Sequence, residues 1–398
     1  MPTGKRLLLV GHDVTLAHLA RPLTLGKAAV EAGWETHLAS SRRISTVPHD
    51  FAGITHALET VDAPRFARRL ALGSPLFPAS ELQQQFSEDL ALLDRVRPTI
   101  IVGDFRPSMA VAARVRSIPF ANLCNAYWTS WADARFDVPE LPVLSQFGDG
   151  IGQLLFDLGR KPVFAIHARP LRRLYRKHGL VPPAPTLGDL YTAGDFRLFS
   201  DLPELYPDKP LPTDSRFLGP VQWAPDLPPP AWWHELDSHA PTAYVCLGSS
   251  GRQDRLPMIL DALTTGTNLQ CIVVGPSELS TAKPGRIFAA PILAGDQAAA
   301  RADLVVCNGG SPTAYQALAQ GKPVLGVASN LDQNLNMYFL ARQGAGIRQA
   351  SQSLRAPDFL GEIETLRSDG PRNAAARLAE RIADAPATEA FVRFLETQ

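Results

Sequence analysis

The densest run of chemistry-bearing residues in this chain lies between Cys307 and Asn336. An apolar run, Asp303–Cys307, leads directly into Asn308-Gly309-Gly310-Ser311-Pro312-Thr313. Two consecutive glycines permit a tight turn and close approach of the backbone to a bound group. Ser311 suits a helix N-cap and Pro312 the first helical position. The spacing therefore predicts a strand, a turn, and a helix whose N-terminus faces the carboxyl end of a sheet. Such an end carries unpaired N–H groups and roughly half a positive charge, a combination that binds phosphate or pyrophosphate. Thr313 adds a hydroxyl donor. A Gly-Gly turn is equally compatible with a plain strand-to-helix connection, so the residues downstream decide. Gly321-Lys322-Pro323 ends the helix, a further strand follows, and the loop after it reads Ser329-Asn330-Leu331-Asp332-Gln333-Asn334-Leu335-Asn336. All but the two leucines are polar, and an adjacent Asp and Gln accept from and donate to the hydroxyls of a sugar.

These residues need parallel strands to place them, and the chain supplies the pattern. Short apolar runs alternate with helical patterns, which predicts the α/β class, with parallel sheets covered by helices. In the first half, Arg6–Val10 reads as a buried strand, Ala17–Ala32 as a helix ended by Gly33, and Trp34–Ser40 as the next strand. Thr99–Val102 is a strand opening onto Gly103-Asp104, Met109–Val115 a helix, and Pro119–Leu123 another strand. Prolines then crowd the stretch from Leu202 to Pro241, which can sustain neither a helix nor a central strand. The second half restarts the succession. Strands are predicted at Ala243–Leu247, Gln270–Val274, Arg286–Ala289, Asp303–Cys307 and Pro323–Val327, and helices at Pro257–Thr264, Pro312–Gln320 and Leu335–Gln343. The expected architecture is two Rossmann-like domains, 1–215 and 241–398, joined by a Pro-rich linker at 216–240. The last helix is a candidate to pack back on the first domain, and a cleft between the domains is the expected active site.

The C-terminal stretch resembles the family-1 glycosyltransferases of GT-B fold, the group that includes plant, macrolide and glucuronosyl transferases. Their signature runs His-x-Gly, two residues, Ser/Thr, two residues, Glu, then Gly-x-Pro and, beyond the next strand, Asp-Gln. Asn308 stands at the His position, Gly310 at the Gly, Thr313 at the phosphate-binding Ser/Thr and Gln316 at the ribose-binding Glu. Gly321 and Pro323 match the Gly-x-Pro, Asp332 and Gln333 the sugar-binding pair, and Asn336 the Asn that follows. Arg286 to Asp303 resembles the family's base-binding loop, and Gly248-Ser249-Ser250 its other phosphate-side loop. The resemblance thus implies a nucleotide-sugar donor site that includes Ser249, Ser250, Gly309 and Ser311. Asn308 for His keeps a donor and removes a possible charge. Pro312 deletes a backbone donor. Gln316 for Glu grips ribose hydroxyls less strongly, because a neutral amide accepts less strongly than a carboxylate. The donor is left open between a UDP-sugar and a dTDP-sugar, whose ribose lacks the 2′-hydroxyl.

Inverting sugar transfer needs a base for the acceptor's proton, and a His backed by a carboxylate is suited to that work. The family places this His at the first strand-to-helix turn, where two candidates occur, His12 and His18. His18 fits better: it lies 15 residues before Gly33 and opens the pattern His18-Leu19-Ala20-Arg21-Pro22-Leu23. Asp104, after the strand Thr99–Val102, stands at the position of the partner carboxylate. An acceptor pocket is expected from the aromatic cluster Tyr127, Trp128 and Trp131, with a further apolar loop over Leu72–Phe86. Aromatic walls suit a flat or lipophilic small-molecule acceptor.

Composition narrows the alternatives. The 398 residues suggest two domains, and 45% hydrophobic with 20% charged residues is ordinary for a globular protein. Lys+Arg and Asp+Glu are both 39, so no global positive field exists to hold nucleic acid or an anionic membrane, although a local patch stays open. The four cysteines lack metal-ligand spacing and are expected as buried thiols in a reducing cytoplasm. The apolar run Leu7–Val10 is too short for a signal peptide, and no stretch approaches the ~20 apolar residues that span a bilayer. A cytosolic protein is expected, its oligomeric state open. No Asp-x-Asp occurs, so no metal or other cofactor is expected. A dinucleotide dehydrogenase is disfavoured because the turn after Val10 reads Gly-His-Asp-Val-Thr, with no Gly-x-Gly-x-x-Gly. A nucleotide-sugar epimerase on the same fold and a non-catalytic glycosyltransferase-like partner remain as alternatives.

Overall fold

The computed structural model describes residues 4–45, 47 and 49–398. It divides into two compact units, the first comprising Met1–Ala134, Leu141–Trp223 and Ala385–Gln398, the second Arg135–Glu140 and Ala224–Asp384.

The first unit is built on seven parallel strands: β1 (Arg6–Gly11), β2 (Glu35–Ser40), β3 (Ile54–Ala57), β4 (Ile100–Asp104), β5 (Phe120–Cys124), β6 (Phe196–Phe199) and β7 (Ser215–Phe217), in the order β3-β2-β1-β4-β5-β6-β7. Its helices are α1 (Ala17–Glu31), α2 (Ala63–Ala71), α3 (Ala79–Val96), α4 (Pro107–Val115), α5 (Gly148–Lys177) and α6 (Leu187–Tyr191). The central strands β1 and β4 carry unbroken apolar runs, Leu7–Val10 and Ile100–Val102, because both sheet faces are covered. Leu8, Val10 and Ile101 enter one core with α3, α4 and α5, while Leu7, Leu9, Ile100 and Val102 enter a second core with α1. Within the Pro-rich stretch, Ser215–Phe217 forms β7 at the sheet edge, where prolines on either side interrupt no central ladder.

The second unit has six parallel strands: β8 (Thr242–Cys246), β9 (Gln270–Val274), β10 (Ile287–Ala290), β11 (Leu304–Cys307), β12 (Val324–Ala328) and β13 (Gly346–Ala350), in the order β10-β9-β8-β11-β12-β13. Around them lie α7 (Leu256–Gly266), α8 (Leu279–Ala282), α9 (Gly295–Arg301), α10 (Ser311–Ala319), α11 (Leu331–Arg342), α12 (Ala356–Leu366) and α13 (Asp369–Asp384). The last helix, α14 (Ala387–Glu396), belongs to the first unit, where Phe391, Phe394 and Leu395 join the core that holds Leu19 and Leu23 of α1.

Two parallel sheets covered by helices are the α/β architecture that the sequence predicts. Each sheet reverses its strand order at one point, between β1 and β4 and between β8 and β11, and crevices at the carboxyl ends of strands open at such points. The register pairs Gly11 with Asp104 at the first reversal. At the second it pairs Cys307 with Cys246.

Candidate active site

At the first reversal, β1 ends in Gly11 and the chain returns into α1 almost in contact with it. A Cβ on Gly11 would lie 2.2 Å from the His18 carbonyl oxygen, so only glycine lets the helix start come this close. His18, in the first turn of α1, is thereby carried to the end of β4. Its Nδ1 lies 2.7 Å from Asp104 Oδ1, with the carboxylate 1% exposed and the imidazole 20% exposed. The carboxylate holds the ring proton on Nδ1 and leaves Nε2 free to accept. Phe105 stacks on the His18 ring at 4.9 Å and 15°. Its φ of 55° is a left-handed value that a bulky residue rarely adopts, and strain of this kind concentrates at functional sites.

The sequence reading missed Arg21, one turn further along α1. Its guanidinium donates to both carboxylate oxygens of Asp104, Nε to Oδ2 and an Nη to Oδ1, each at 2.8 Å. The other Nη donates to Asn125 Oδ1 at 3.0 Å, and Asn125 donates in turn to Asp201 at 2.8 Å. Asp201 also accepts from the Ala126 backbone N–H at 2.6 Å. Burial alone would push the Asp104 carboxyl up; the neighbouring charge of Arg21, with His18, overcomes that and holds it below the usual carboxylate range. The available signal was an Arg set in the consecutive apolar run Leu19, Ala20, Pro22 and Leu23, a stretch buried all round that tolerates a guanidinium only when it is paired.

His12 has a different setting. It is fully buried, its Nε2 accepts from the Val61 backbone N–H at 3.0 Å, and its ring lies edge-on to Phe77 at 5.4 Å. Burial first, then the positive charges of Arg106 and His18, keep it well below the ordinary histidine range and therefore neutral. It is a core histidine.

Of the expected acceptor residues, Tyr127 is buried and Trp131 packs over the sheet edge against Phe199 and Tyr206, its Nε1 donating to the Pro210 carbonyl at 2.9 Å. Trp128 is half-buried beside Tyr127. A separate aromatic group backs the ring that stacks on His18: Phe105 contacts Phe66, Phe77 and Tyr191 with ring centroids 5.4–6.5 Å apart. Phe77 comes from the apolar Leu72–Phe86 stretch, the rest of which, from Ala79, is the start of α3.

At the second reversal, in the other unit, β11 turns through Asn308-Gly309-Gly310 into α10. Gly309 has φ of 80°, and a Cβ there would meet Met337 Cγ at 2.7 Å. Asn308 Oδ1 accepts from the Gly310 N–H at 2.9 Å, while its Nδ2 donates to Ser250 Oγ at 3.1 Å. Asn336 donates to the Gly309 carbonyl at 2.9 Å. The turn is thus pinned from three directions. Two details differ from the sequence reading. The N-cap is Gly310, which places Ser311 and Pro312 inside the helix. The amides of Ser311 and Thr313 belong to the first turn, where no intrahelical acceptor exists. Thr313 also carries its hydroxyl beside the Cys246 thiol.

The second correction concerns Asp332 and Gln333. Asn330 caps α11, accepting from the Gln333 N–H at 3.1 Å, and Gln333 Oε1 accepts from the Asn330 and Ser329 N–H groups at 3.3 and 2.8 Å. This capping box starts the helix at Leu331, so Asp332 and Gln333 sit in its first turn and not in a loop. Gln333 is buried, and its Nε2 donates to the Ser250 carbonyl at 3.2 Å. Asp332 is half-buried, and Ser249 is exposed on the turn before Ser250. Gln316 lies against Gly295 at the start of α9, where a Cβ on the glycine would come 2.5 Å from its Oε1. Arg286 is committed to the Leu269 and Thr267 carbonyls at 2.8 Å, and Trp232 packs on Phe288 with its Nε1 donating to the Ala289 carbonyl at 3.1 Å.

Sequence reasoning also missed Arg135–Glu140, which belongs to this unit although it comes from the first half of the chain. Glu140 pairs with Arg252 at 2.6 Å, and its N–H donates to the Ser329 carbonyl at 2.9 Å. Asp137 pairs with Arg348 at 3.2 Å. Among the described residues no cluster of three or more His, Cys, Asp or Glu side chains could hold a metal ion.

Two doubly wound parallel sheets, with a glycine-rich turn at the switch point of one, are the architecture of the GT-B fold. No family model matches the chain. Its full length superimposes on solved GT-B enzymes: a spinosyn rhamnosyltransferase (TM-score 0.70, 20% identity, 99% of this chain and 100% of that one) and SnogD of Streptomyces nogalater (TM-score 0.69, 18% identity, 99% and 100%). It is 38% identical over 378 residues to a PGL/p-HBAD biosynthesis glycosyltransferase of Mycobacterium tuberculosis, covering 94% of this chain and 88% of the relative. The same identity and length relate it to a PGL/p-HBAD biosynthesis rhamnosyltransferase of Mycobacterium bovis, covering 94% and 84%. The chain belongs to this family of glycosyltransferases.

Proposed function

We propose that this glycosyltransferase moves a sugar, with inversion, from a dTDP-linked donor to a hydroxyl of a small lipophilic or aromatic acceptor. The observation that carries the reading is the 2.7 Å contact between His18 and an Asp104 buried and held on both oxygens by Arg21. His18 Nε2 takes the acceptor's proton as its oxygen attacks the anomeric carbon. The bond from that carbon to the diphosphate oxygen breaks, and the diphosphate leaves with the electron pair. Asp104 stabilises the imidazolium that forms. The acceptor ring or chain rests against the half-buried Phe105, which Phe66 and Phe77 hold in place from the core.

In the second unit, the first turn of α10, the Thr313 hydroxyl and the Ser249-Ser250 turn receive the diphosphate, with Asn308 shaping the site. A helix N-terminus and fixed donors supply the charge stabilisation, so no metal is needed and a chelator leaves turnover unchanged. Asp332 faces the sugar, and Gln333 holds the turn that presents it.

The choice of thymidine follows from Gln316, which replaces a carboxylate acceptor for the ribose. It is supported by a solved spinosyn rhamnosyltransferase that holds thymidine diphosphate (TM-score 0.67, 20% identity). A rhamnosyl donor is the first to test, because one relative is a named rhamnosyltransferase. Calorimetric titration should show dTDP binding more tightly than UDP. Equal or tighter binding of UDP contradicts the thymidine assignment.

A further inference from the structure

Helix α5 is 30 residues long, about 45 Å, and only one side of it is used by the fold. Ala168, Leu171, Leu174 and Tyr175 enter the core shared with α3 and α4. The opposite side is apolar and exposed. Of twelve large hydrophobic side chains exposed in the described residues, eight fall between Val143 and Ile166, and Ile151, Leu154, Leu155, Leu158 and Ile166 among them share one face of α5. Ile151, Leu154, Leu155 and Leu158 recur at helical spacing, with Leu158 71% exposed.

The same stripe changes character along its length. Continuing in steps of three and four from Leu158 it runs through Pro162 and Ile166 to Arg169, Arg173 and Arg176. These three arginines and Lys161 are exposed and have no acidic partner among the described residues. Between Asp157 and Asp189 the chain holds seven basic residues and no acidic one, in a protein whose net charge is zero. Phe147, just before the helix, is also exposed.

We propose that this face of α5 docks on an anionic lipid bilayer, lying in the interface with Ile151, Leu154, Leu155 and Leu158 in the acyl boundary and the arginines on the headgroups. An apolar face with clustered Lys and Arg is the pattern of helices that lie in a membrane surface. Charge complementarity selects this occupant: a protein partner would need a matching acidic surface, whereas anionic headgroups are acidic throughout. Each basic residue near such a surface strengthens attachment by roughly five-fold. No helix of the described residues is long and apolar enough to cross a membrane, so attachment is to one face.

The test is vesicle flotation of the full chain, with phosphatidylcholine alone and with phosphatidylcholine carrying phosphatidylglycerol. The expected result is binding to the anionic vesicles only, weakened by salt. Leu154→Asp with Leu158→Asp should abolish it. Arg169→Gln, Arg173→Gln and Arg176→Gln together should weaken it by about ten-fold or more. These positions are exposed, and an unchanged unfolding temperature shows that the variants are folded. Failure of the wild-type chain to float with anionic vesicles overturns the proposal, as does equal binding to both vesicle types. Sedimentation supplies the remaining arm: a wild-type dimer that Leu154→Asp with Leu158→Asp converts to monomer assigns the face to a second copy and overturns the lipid assignment.

Discussion

Arg21 changes what the His18–Asp104 contact means. A carboxylate buried to 1% exposure beside a histidine alone would be pushed toward its neutral form, whereas here a guanidinium grips both oxygens. Arg21→Met therefore removes the counter-charge of a buried carboxylate and should destabilise the fold by about 3–5 kcal/mol in urea denaturation. Because the folded-state pKa of Asp104 is depressed, its stabilisation is present above the unfolded carboxylate value near 4 and is lost as pH falls through the folded value. Asp104→Asn should flatten the fall in urea midpoint below about pH 4; an unchanged acid slope would contradict this assignment. At this scale the family resemblance points to His18 and Asp104, which lie 2.7 Å apart. Arg21 and Asn125 are not legible, because their roles arise from side chains 83 and 104 positions apart in sequence.

At the scale of elements, the donor-side turn depends on its neighbours. Asn336 reaches from α11 to the Gly309 carbonyl, and Asn330 with Gln333 sets where α11 begins. Asn330→Ala should cost about 1 kcal/mol through the lost cap. Asn336→Leu leaves a buried carbonyl without its donor and should cost about 1–3 kcal/mol. Both should lower dTDP affinity in a thermal-shift titration, and an unaffected affinity in Asn336→Leu would show that the turn is fixed without it. Strands β8 to β12 and α10 are readable from apolar runs and Gly-Pro punctuation, whereas β13 is missed because Arg348 and Gln349 break any apolar run there. The start of α11 is not: Asn330-Leu331-Asp332-Gln333 reads as a polar loop until the Asn330–Gln333 reciprocity is recognised as a capping box. The same limit hides α5, where Pro162 and Pro170 break the local pattern and one side mixes apolar with basic residues.

For the whole molecule, the first unit is discontinuous in sequence, since its core includes α14 from the far end of the chain. Phe391, Phe394 and Leu395 are each at most 3% exposed, and burying a side chain of this size contributes about 1.5–3 kcal/mol. Their sum rivals the net stability of a domain, about 5–15 kcal/mol. Deleting Ala385–Gln398 should therefore leave the first unit unfolded, seen as loss of its cooperative transition in calorimetry. A truncated chain that retained both transitions would contradict this. A balanced net charge concealed one further property at this scale, because equal totals of acidic and basic residues are blind to a cationic stretch concentrated on one helix.

The proposed mechanism turns on His18, backed by Asp104, as the base for sugar transfer. It is tested most directly by single-turnover transfer in His18→Ala, with dTDP binding measured on the same preparation. The expected result is a roughly 10²–10⁴-fold loss of the transfer rate with dTDP affinity unchanged. Near-wild-type transfer in that variant would contradict it.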